Sequence, residues 1–333
     1  MVSNKSAFLD AVGKPLRIAE SPMPKPGAND IIVKNHAVAI NTVDPVQADT
    51  GFMVKQYPIV LGSDVAGEVV EVGSSVTRFK KGDRVVGHAW VFQTGKPEDG
   101  AFSLYCRVPA GNAAIIPSNI EYNQAAMLPM AIDTASVGLH KEGYLGIDYP
   151  SVDAKQNGKV LVVYGGSSSV GAAAIQLAVN AGCRVIVTSS SKNFDLCLEC
   201  GASDVFDYKD PNVAEKIAKA VGKDNFVGLW NAIGIPESFE VVIPIMQKLG
   251  GGFVANTKPP GELPKDIEAR FVLGIDKATW PVWESGFLTE ALESGKLKCL
   301  PEPIVVGKGL ESLQQAFEVR KGVISAQKVV VEL

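Results

Sequence analysis

A run of small residues near the middle of the chain has the composition of a phosphate-binding turn. The apolar segment Lys159–Tyr164 is followed by seven residues that are Gly or Ser except for one Val, and then by an alanine-rich stretch. A buried strand, a turn without bulk and a helix place backbone N–H groups and a helix dipole against an anion, as in dinucleotide binding. The glycine spacing departs from GxGxxG, so an ordinary tight strand-to-helix turn stays an alternative. The candidate cofactor-binding residues of this turn are Gly165, Gly166, Ser167, Ser168, Ser169, Val170 and Gly171.

The next candidate strand, at residues 184–188, ends in hydroxyl and ammonium groups at residues 189–192. NAD-binding units have an acidic residue at this place, roughly 20 residues after the glycines, for the ribose 2′-hydroxyl. Hydroxyl donors and a cation suit a 2′-phosphate instead, so the sequence favours NADPH (NADP+) over NADH. A solvated serine turn is the alternative, and Asp195 would matter if the strand ended later. The candidate ligands are Ser189, Ser190 and Lys192, with Tyr208 after the following strand as a further contact to the phosphate or adenine.

The bulk composition excludes several classes of protein. The 333 residues carry a formal net charge of −4, which offers no basic face for nucleic acid. No apolar run reaches the roughly 20 residues of a membrane span, and the first residues lack the apolar region of a signal peptide. The five cysteines are scattered, and the Cys197–Cys200 pair lies in a helix-like segment, which favours packing over metal or redox roles. We expect a cytoplasmic protein without a nucleic-acid or membrane partner.

The elements around the turn predict an α/β protein with a second, β-rich part. Short apolar runs at residues 31–40, 65–73 and 84–87 alternate with Gly and Pro and indicate a barrel-like domain. From residue 158 strands alternate with helices, which is typical of a doubly wound parallel sheet. Helical patterns are expected at residues 134–143, 285–295 and 310–321, with a closing strand at 327–333. The predicted divisions are a substrate domain at 1–125, a cofactor domain at 126–270 and a return to the substrate domain at 271–333.

Several motifs together resemble the medium-chain dehydrogenase/reductases. They are PIVLGSDVAGEV at residues 58–69, GDRV at 82–85, the turn at 165–171, GASDVFDY at 201–208 and GKGL at 307–310. The chain is most similar to the zinc-free branch of quinone reductases and fungal trans-acting enoyl reductases. This resemblance implies a GroES-like β-rich substrate domain, a Rossmann cofactor domain and a site in the cleft between them.

The resemblance also allows a test for zinc. Zinc-dependent relatives carry a Cys near the position of Val43 and a His-Glu pair where this chain has Ser63 and Asp64, together with a four-cysteine lobe. Here the region before the cofactor domain holds only Cys106. Serine and valine cannot replace thiolate and imidazole as zinc ligands, so we expect no metal. Without a Lewis acid, conjugate hydride addition to an activated C=C bond is favoured over alcohol oxidation.

The resemblance implies two catalytic residues. The segment at 41–44 is similar to the Asn-Pro-Val-Asp segment of the reductases, in which Asn41 would donate to a substrate carbonyl. Thr134 matches a threonine beside the nicotinamide, and a helix N-cap is its structural alternative. Many fungal relatives have a lysine where this chain has Val46, which removes a candidate proton donor. At the strand ends, backbone contacts to the nicotinamide carboxamide are expected from Ala232, Ile233 and Asn256.

These observations predict an NADPH-dependent, zinc-independent reductase for a small enone, enoyl thioester or quinone. One alternative is a component of a polyketide or secondary-metabolite complex, acting as a trans-acting enoyl reductase beside a carrier-protein or synthase partner. A second alternative is a nicotinamide-binding protein with little redox activity, which the valine at position 46 leaves open. The substrate and the oligomeric state are not encoded in any motif of the chain.

Overall fold

Strands and helices alternate through the middle of the chain in the computed structural model, which describes residues 3–322 and 324–333. The strands are β1 Asn4–Leu9, β2 Arg17–Ser21, β3 Asp30–Ile40, β4 Ile59–Val60, β5 Asp64–Val72, β6 Arg84–His88, β7 Tyr105–Pro109, β8 Ala113–Ile115, β9 Lys159–Tyr164, β10 Arg184–Ser189, β11 Asp204–Asp207, β12 Asn225–Asn231, β13 Gly252–Asn256, β14 Ile267–Phe271, β15 Glu302–Lys308 and β16 Gln327–Glu332. The helices are α1 Val43–Thr50, α2 Val91–Thr94, α3 Tyr122–Ala125, α4 Pro129–His140, α5 Ser169–Asn180, α6 Phe194–Glu199, α7 Val213–Val221, α8 Phe239–Lys248, α9 Trp280–Glu284, α10 Phe287–Glu293 and α11 Leu313–Lys321.

The chain divides into two units. The first comprises Met1–Met130, Trp283–Thr289 and Glu302–Leu333, and the second comprises Ala131–Val282 and Glu290–Pro301. The chain passes from one unit to the other after residues 130, 282, 289 and 301, whereas the sequence places its domain boundaries at 125 and 270. The domain boundaries at residues 125 and 270 therefore remain predictions.

The first unit is built on β-sheets, as the sequence predicts. One sheet has the order β2-β1-β4, and the other has the order β15-β16-β3-β5-β6-β8, with β7 also paired to β3. The long strand β3 is central because it pairs antiparallel with β5, β7 and β16. The register of β16 sets Val329 opposite Ile40, so the last strand of the chain lies beside the end of β3.

The second unit is a parallel sheet with the order β11-β10-β9-β12-β13-β14. This is the doubly wound Rossmann order, in which the direction of strand addition reverses at the first strand. Val160, Leu161, Val162 and Val163 of β9 are almost wholly buried, as expected of a strand covered on both faces. One face of the sheet packs a core with α7 and α8 through residues such as Ile217, Val242 and Ile245. The prediction of a doubly wound sheet is confirmed.

Some predicted boundaries are wrong. The sequence predicts a helix at 134–143, whereas α4 covers Pro129–His140 and begins at Pro129 because proline suits the first helical position. Thr134 therefore lies inside α4, and its reading as an N-cap is wrong. The helix expected at 285–295 is shorter, since α10 covers Phe287–Glu293, and α11 begins at Leu313 after a short 3-10 turn. Among residues 3–322 and 324–333, no helix has the length and apolar character needed to cross a membrane.

Candidate active site

The phosphate-binding turn joins the end of β9 to the start of α5. Ser168 is the N-cap residue of α5, where its Oγ accepts a hydrogen bond from the Gly171 N–H at 3.1 Å and donates one to the Gly165 carbonyl at 2.8 Å. The first N–H groups of a helix have no intrahelical acceptor, so those of Ser169 and Val170 are available to an anion. The Ser168 hydroxyl is used within the turn itself.

Three glycines are required by the packing of this turn. A Cβ atom on Gly165 would lie 2.4 Å from Ile233 Cγ1, and Gly165 also has a positive φ of 78°. A Cβ atom on Gly166 would lie 2.2 Å from Val187 Cγ1, and one on Gly171 would lie 2.3 Å from the Gly165 carbonyl oxygen. The turn therefore has no large side chains and leaves the N–H groups at the start of α5 without an intrahelical acceptor. Both features suit the binding of a pyrophosphate.

The end of β10 lies beside the turn because β9 and β10 are parallel neighbours. β10 extends one residue further than predicted, to Ser189, which is buried. The Ser189 hydroxyl donates to the Ser167 hydroxyl at 3.0 Å. Lys192 lies on the 3-10 turn Ser191–Asn193 and is exposed to solvent. In sequence it follows these serines closely.

Tyr208 lies directly after β11, which is the strand next to β10. Its ring meets the ring of Tyr164 edge to face, with 6.1 Å between the centroids. The ammonium group of Lys209 lies 5.8 Å from the centroid of the Tyr208 ring. Lys209 is thus a second cation at this end of the sheet, which the sequence analysis did not select although it follows Tyr208 directly.

Three strand ends stand side by side where the carboxamide contacts are predicted. The register aligns Asn231 with Tyr164 on one side and with Asn256 on the other. The Ala232 N–H donates to the Tyr164 carbonyl at 3.0 Å, and the Ile233 side chain packs against Gly165. Asn256 donates from Nδ2 to the Lys258 carbonyl at 2.6 Å, whereas its buried Oδ1 has no hydrogen-bond partner in the described part of the chain.

Asn231 shapes the loop after β12, and the sequence analysis did not assign it a role. Its Nδ2 donates to Ser238 Oγ at 2.8 Å, and its Oδ1 accepts from the Gly234 N–H at 3.0 Å. The side chain is wholly buried. These bonds hold the loop that carries Ala232 and Ile233 at the end of the strand.

In the first unit, Asn41 and Asp44 form a turn between β3 and α1. The Asn41 N–H donates to Asp44 Oδ2 at 2.6 Å. Asp44 is wholly buried, and burial raises its pKa to about 7. Asn41 Nδ2 and Asp44 Oδ1 are buried atoms without a hydrogen-bond partner within residues 3–322 and 324–333. The predicted catalytic amide is therefore held by its backbone, and its Nδ2 donor remains unused.

Near this turn lies a buried ion pair that the sequence analysis did not identify. The Lys328 ammonium group contacts Asp64 Oδ2 and donates to the Met127 carbonyl at 2.9 Å. Asp64 Oδ1 accepts from the Met130 N–H at 2.7 Å. Both charged side chains are buried, at 0% exposure for Asp64 and 4% for Lys328. The carboxylate at the position of the zinc relatives' Glu is thus neutralised by an ammonium group of the chain itself.

Thr134, Val46 and the cysteine pair are the other residues that the sequence singles out. Thr134 is packed closely by Gly274, where a Cβ atom would lie 2.6 Å from Thr134 Oγ1. Val46 is exposed at 42% and offers no group for proton transfer. Cys197 and Cys200 are buried, and burial raises the pKa of Cys197 to about 11. Within the described ranges, no three His, Cys, Asp or Glu side chains are grouped as a metal site would require.

Comparison with known proteins identifies the family. Residues 27–118 match the alcohol dehydrogenase GroES-like domain, and residues 169–273 match the zinc-binding dehydrogenase domain. The dehydrogenase orsE of Emericella nidulans is 44% identical over 100% of this chain and 100% of its own. The chain belongs to the medium-chain dehydrogenase/reductase family. Within this family, the trans-enoyl reductase himH of Aspergillus japonicus is 37% identical over 91% of this chain and 90% of its own.

A solved structure has a similar fold. The mycobacterial protein Rv1454c, determined in complex with NADPH, matches with a TM-score of 0.69 and 22% identity over 99% of this chain and 100% of that one. The first unit is accordingly GroES-like, and the second is of the Rossmann type. As a medium-chain dehydrogenase/reductase, the chain is an oxidoreductase whose Rossmann unit serves a nicotinamide cofactor.

Proposed function

We propose that this chain is an NADPH-dependent, zinc-independent reductase that delivers hydride to an activated C=C bond or to a quinone. The C=C acceptor is an α,β-unsaturated carbonyl compound or an enoyl thioester. The observation that carries the proposal is the end of β10, where hydroxyl groups and Lys192 stand beside the phosphate-binding turn and residues 189–192 include no carboxylate. The name of himH, a trans-enoyl reductase, supports reduction of a C=C bond.

The cofactor is assigned from three groups of contacts. The N–H groups of Ser169 and Val170 bind the pyrophosphate at the N-terminus of α5. Ser190 and Lys192 bind the 2′-phosphate, and Tyr208 borders the adenosine end. The unpartnered Asn256 Oδ1 is a suitable acceptor for the carboxamide N–H group. The NADPH complex of the structural neighbour is consistent with this choice.

When bound, NADPH supplies a hydride from its nicotinamide ring. The acceptor gains this hydride and its electron pair at the β-carbon, and the C=C pair moves onto the carbonyl oxygen to give an enolate. Asn41 would donate a hydrogen bond to this oxygen and so stabilise its developing charge. Thr134 would contact the nicotinamide ring or a substrate oxygen through its hydroxyl group. A proton from solvent would then reach the α-carbon. The unused Nδ2 donor of Asn41 supports its role.

Zinc independence is argued from residue types. Val43 and Ser63 cannot serve as thiolate or imidazole ligands, and the Asp64 carboxylate is already paired with Lys328. We expect full activity after extensive dialysis against a chelator and less than stoichiometric zinc by elemental analysis. Loss of activity that added zinc restores would contradict this part of the proposal.

Stopped-flow oxidation of NADPH against enones, enoyl thioesters and quinones tests the reaction. We expect rapid oxidation with at least one of these acceptor classes and a much slower reaction with NADH. Tight NADPH binding without reduction of any acceptor would instead support the nicotinamide-binding alternative, which Val46 leaves open. The Asn41→Ala variant should lower the rate of hydride transfer without a matching loss of NADPH affinity.

A second candidate is a trans-acting enoyl reductase that works within a biosynthetic complex. The printed name of himH favours it, because that relative is called a trans-enoyl reductase. The same enoyl group can be offered as a small free thioester and as a thioester on a carrier protein. A kcat/KM that is far higher for the carrier-bound substrate would support this candidate, and equal values would contradict it.

A further inference from the structure

One asparagine side chain links the phosphate-binding turn to the end of β10. Asn193 Nδ2 donates to Ser167 Oγ at 3.2 Å and to Ser190 Oγ at 3.2 Å. Ser167 belongs to the turn after β9, and Ser190 directly follows β10. Asn193 itself is the residue before α6 and adopts φ −113° and ψ 15° without a side-chain cap bond to that helix. Its amide is directed to the serine hydroxyls instead.

These hydrogen bonds determine what the hydroxyl groups can do. A serine hydroxyl has two acceptor positions and one O–H donor. Ser167 Oγ accepts from both Asn193 and Ser189, so its acceptor positions are filled and its own O–H acts as a donor. Ser190 Oγ likewise accepts from Asn193, which leaves its O–H to donate elsewhere. Because the Asn193 amide occupies acceptor positions on both serines, the O–H groups of Ser167 and Ser190 remain as two donors at one place.

Charged groups of both signs lie near these donors in sequence. Lys192 lies on the same 3-10 turn, and Lys209 follows β11 beside Tyr208. The acidic groups nearby in sequence are Asp195 in the first turn of α6 and Asp207 at the end of β11. Asp207 Oδ1 accepts from the Lys209 N–H at 2.9 Å and is engaged within its own loop.

We propose that Asn193 is a positioning residue that sets the preference for NADPH over NADH by turning the Ser167 and Ser190 hydroxyls into donors for the adenosine 2′-phosphate. This inference rests on the proposed function, in which NADPH is the cofactor. A 2′-phosphate accepts several charge-assisted hydrogen bonds, whereas the 2′-hydroxyl of NADH gains less from the same donors. Removing the amide should therefore weaken NADPH binding selectively.

The test is the ratio of dissociation constants for NADPH and NADH, measured by cofactor fluorescence on the full chain. We expect Asn193→Ala to weaken NADPH binding about tenfold, as loss of one or two hydrogen bonds to an anion site implies, and NADH binding by less than about twofold. Asn193→Asp should weaken NADPH binding further, because it adds a negative charge where the phosphate binds. Both constants come from one preparation, so a loss of folded protein does not change their ratio.

Asn212→Ala is the matched control. Asn212 also precedes a helix without a side-chain cap bond, with φ −102° and ψ 15°, but it lies before α7. We expect it to leave the NADPH to NADH ratio unchanged. A Ser190→Ala background should also shrink the effect of Asn193→Ala on the ratio, because the hydroxyl that the amide orients is then absent.

The possible failures are distinct. A wild-type chain that prefers NADPH while Asn193→Ala keeps the same preference would overturn this inference and leave the proposed function intact. A wild-type chain that binds NADH more tightly than NADPH would overturn the proposed cofactor, and this inference with it.

Discussion

Asp44 is a wholly buried carboxyl group whose surroundings favour its protonated form. Desolvation is the largest cause, and the neighbouring Asp64 charge adds to it, so that the pKa rises from 3.8 to about 7. The Asn41 N–H, Lys328 and Arg320 act in the opposite direction. Between these two pKa values the folded chain binds a proton that the unfolded chain has released. Stability must therefore fall as the pH rises through this range.

We predict that Asp44→Asn removes this pH dependence. For the wild type, the free energy of unfolding should fall by about 2 kcal/mol between about pH 5 and pH 7 on account of this group. The asparagine side chain keeps an acceptor for the Asn41 N–H but has no proton to release. Urea unfolding of both proteins at the two pH values measures the difference.

The comparison of wild type with Asp44→Asn also cancels the opposite pH dependence that His140 gives to stability. Burial lowers the pKa of His140 to about 4, so its contribution to stability is present above its unfolded pKa and is lost as the pH falls. His140 is unchanged in both proteins, and its effect disappears from the difference. The same slope with pH in wild type and Asp44→Asn would contradict the assignment.

At the level of elements, α5 depends on its N-cap. Ser168 Oγ accepts from the Gly171 N–H and so satisfies one of the donors at the start of the helix. We predict that Ser168→Ala lowers the free energy of unfolding by about 1 kcal/mol, the usual loss for an N-cap serine. Ser169→Ala, one residue further and inside the helix, is the control and should change stability by less. Urea unfolding without cofactor measures both, and equal effects would contradict the capping role.

Helix α4 packs against β12 through a glycine. A Cβ atom on Gly138 would lie 1.3 Å from Trp230 Cζ3, and Trp230 is wholly buried. We predict that Gly138→Ala destabilises the protein by about 1–3 kcal/mol through overpacking. Helix propensity alone predicts the opposite sign, since alanine is favoured over glycine by about 1 kcal/mol within a helix. Thermal or urea unfolding shows whether Gly138→Ala raises or lowers the free energy of unfolding.

Gly261→Ala is the control for this prediction. Apart from its two chain neighbours, no atom of residues 3–322 and 324–333 would lie within 4 Å of a Cβ atom at Gly261, and the residue has no left-handed backbone. Its substitution should leave the free energy of unfolding nearly unchanged. A Gly138→Ala protein as stable as this control would contradict the close packing of α4 on the sheet.

Elements were easier to predict than side-chain partners. The strands β9 to β13 and the turn at 165–171 follow from apolar runs and small residues that are adjacent in sequence. Thr134 lies inside α4 rather than at its N-cap, because the helix begins at Pro129, before the predicted start at residue 134. The pair Asp64 and Lys328 could not be foreseen, because its members are 264 residues apart and meet only through the pairing of β16 with β3. The contacts of Asn193 are not evident from the sequence, because its two serine partners come together only when β9 and β10 are neighbours.

In the molecule as a whole, the last strand completes the first unit and carries its buried charge. Lys328 of β16 contacts Asp64 of β5, and it also binds the Met127 carbonyl. We predict that Lys328→Met lowers the free energy of unfolding by about 3–5 kcal/mol, because it leaves a buried carboxylate without its partner. The double variant with Asp64→Asn should recover part of this loss. Equal destabilisation in the single and double variants, by urea unfolding, would contradict the ion-pair account.

We propose that this medium-chain oxidoreductase transfers hydride from NADPH to the β-carbon of an activated C=C bond. Incubation of the enzyme with an enone and NADPH deuterated at the transferred position of C4, followed by NMR of the product, tests it directly. We predict deuterium at the β-carbon, and in D2O with unlabelled NADPH we predict deuterium at the α-carbon. Saturated product without deuterium at the β-carbon, or an allylic alcohol with the C=C bond intact, would contradict the account.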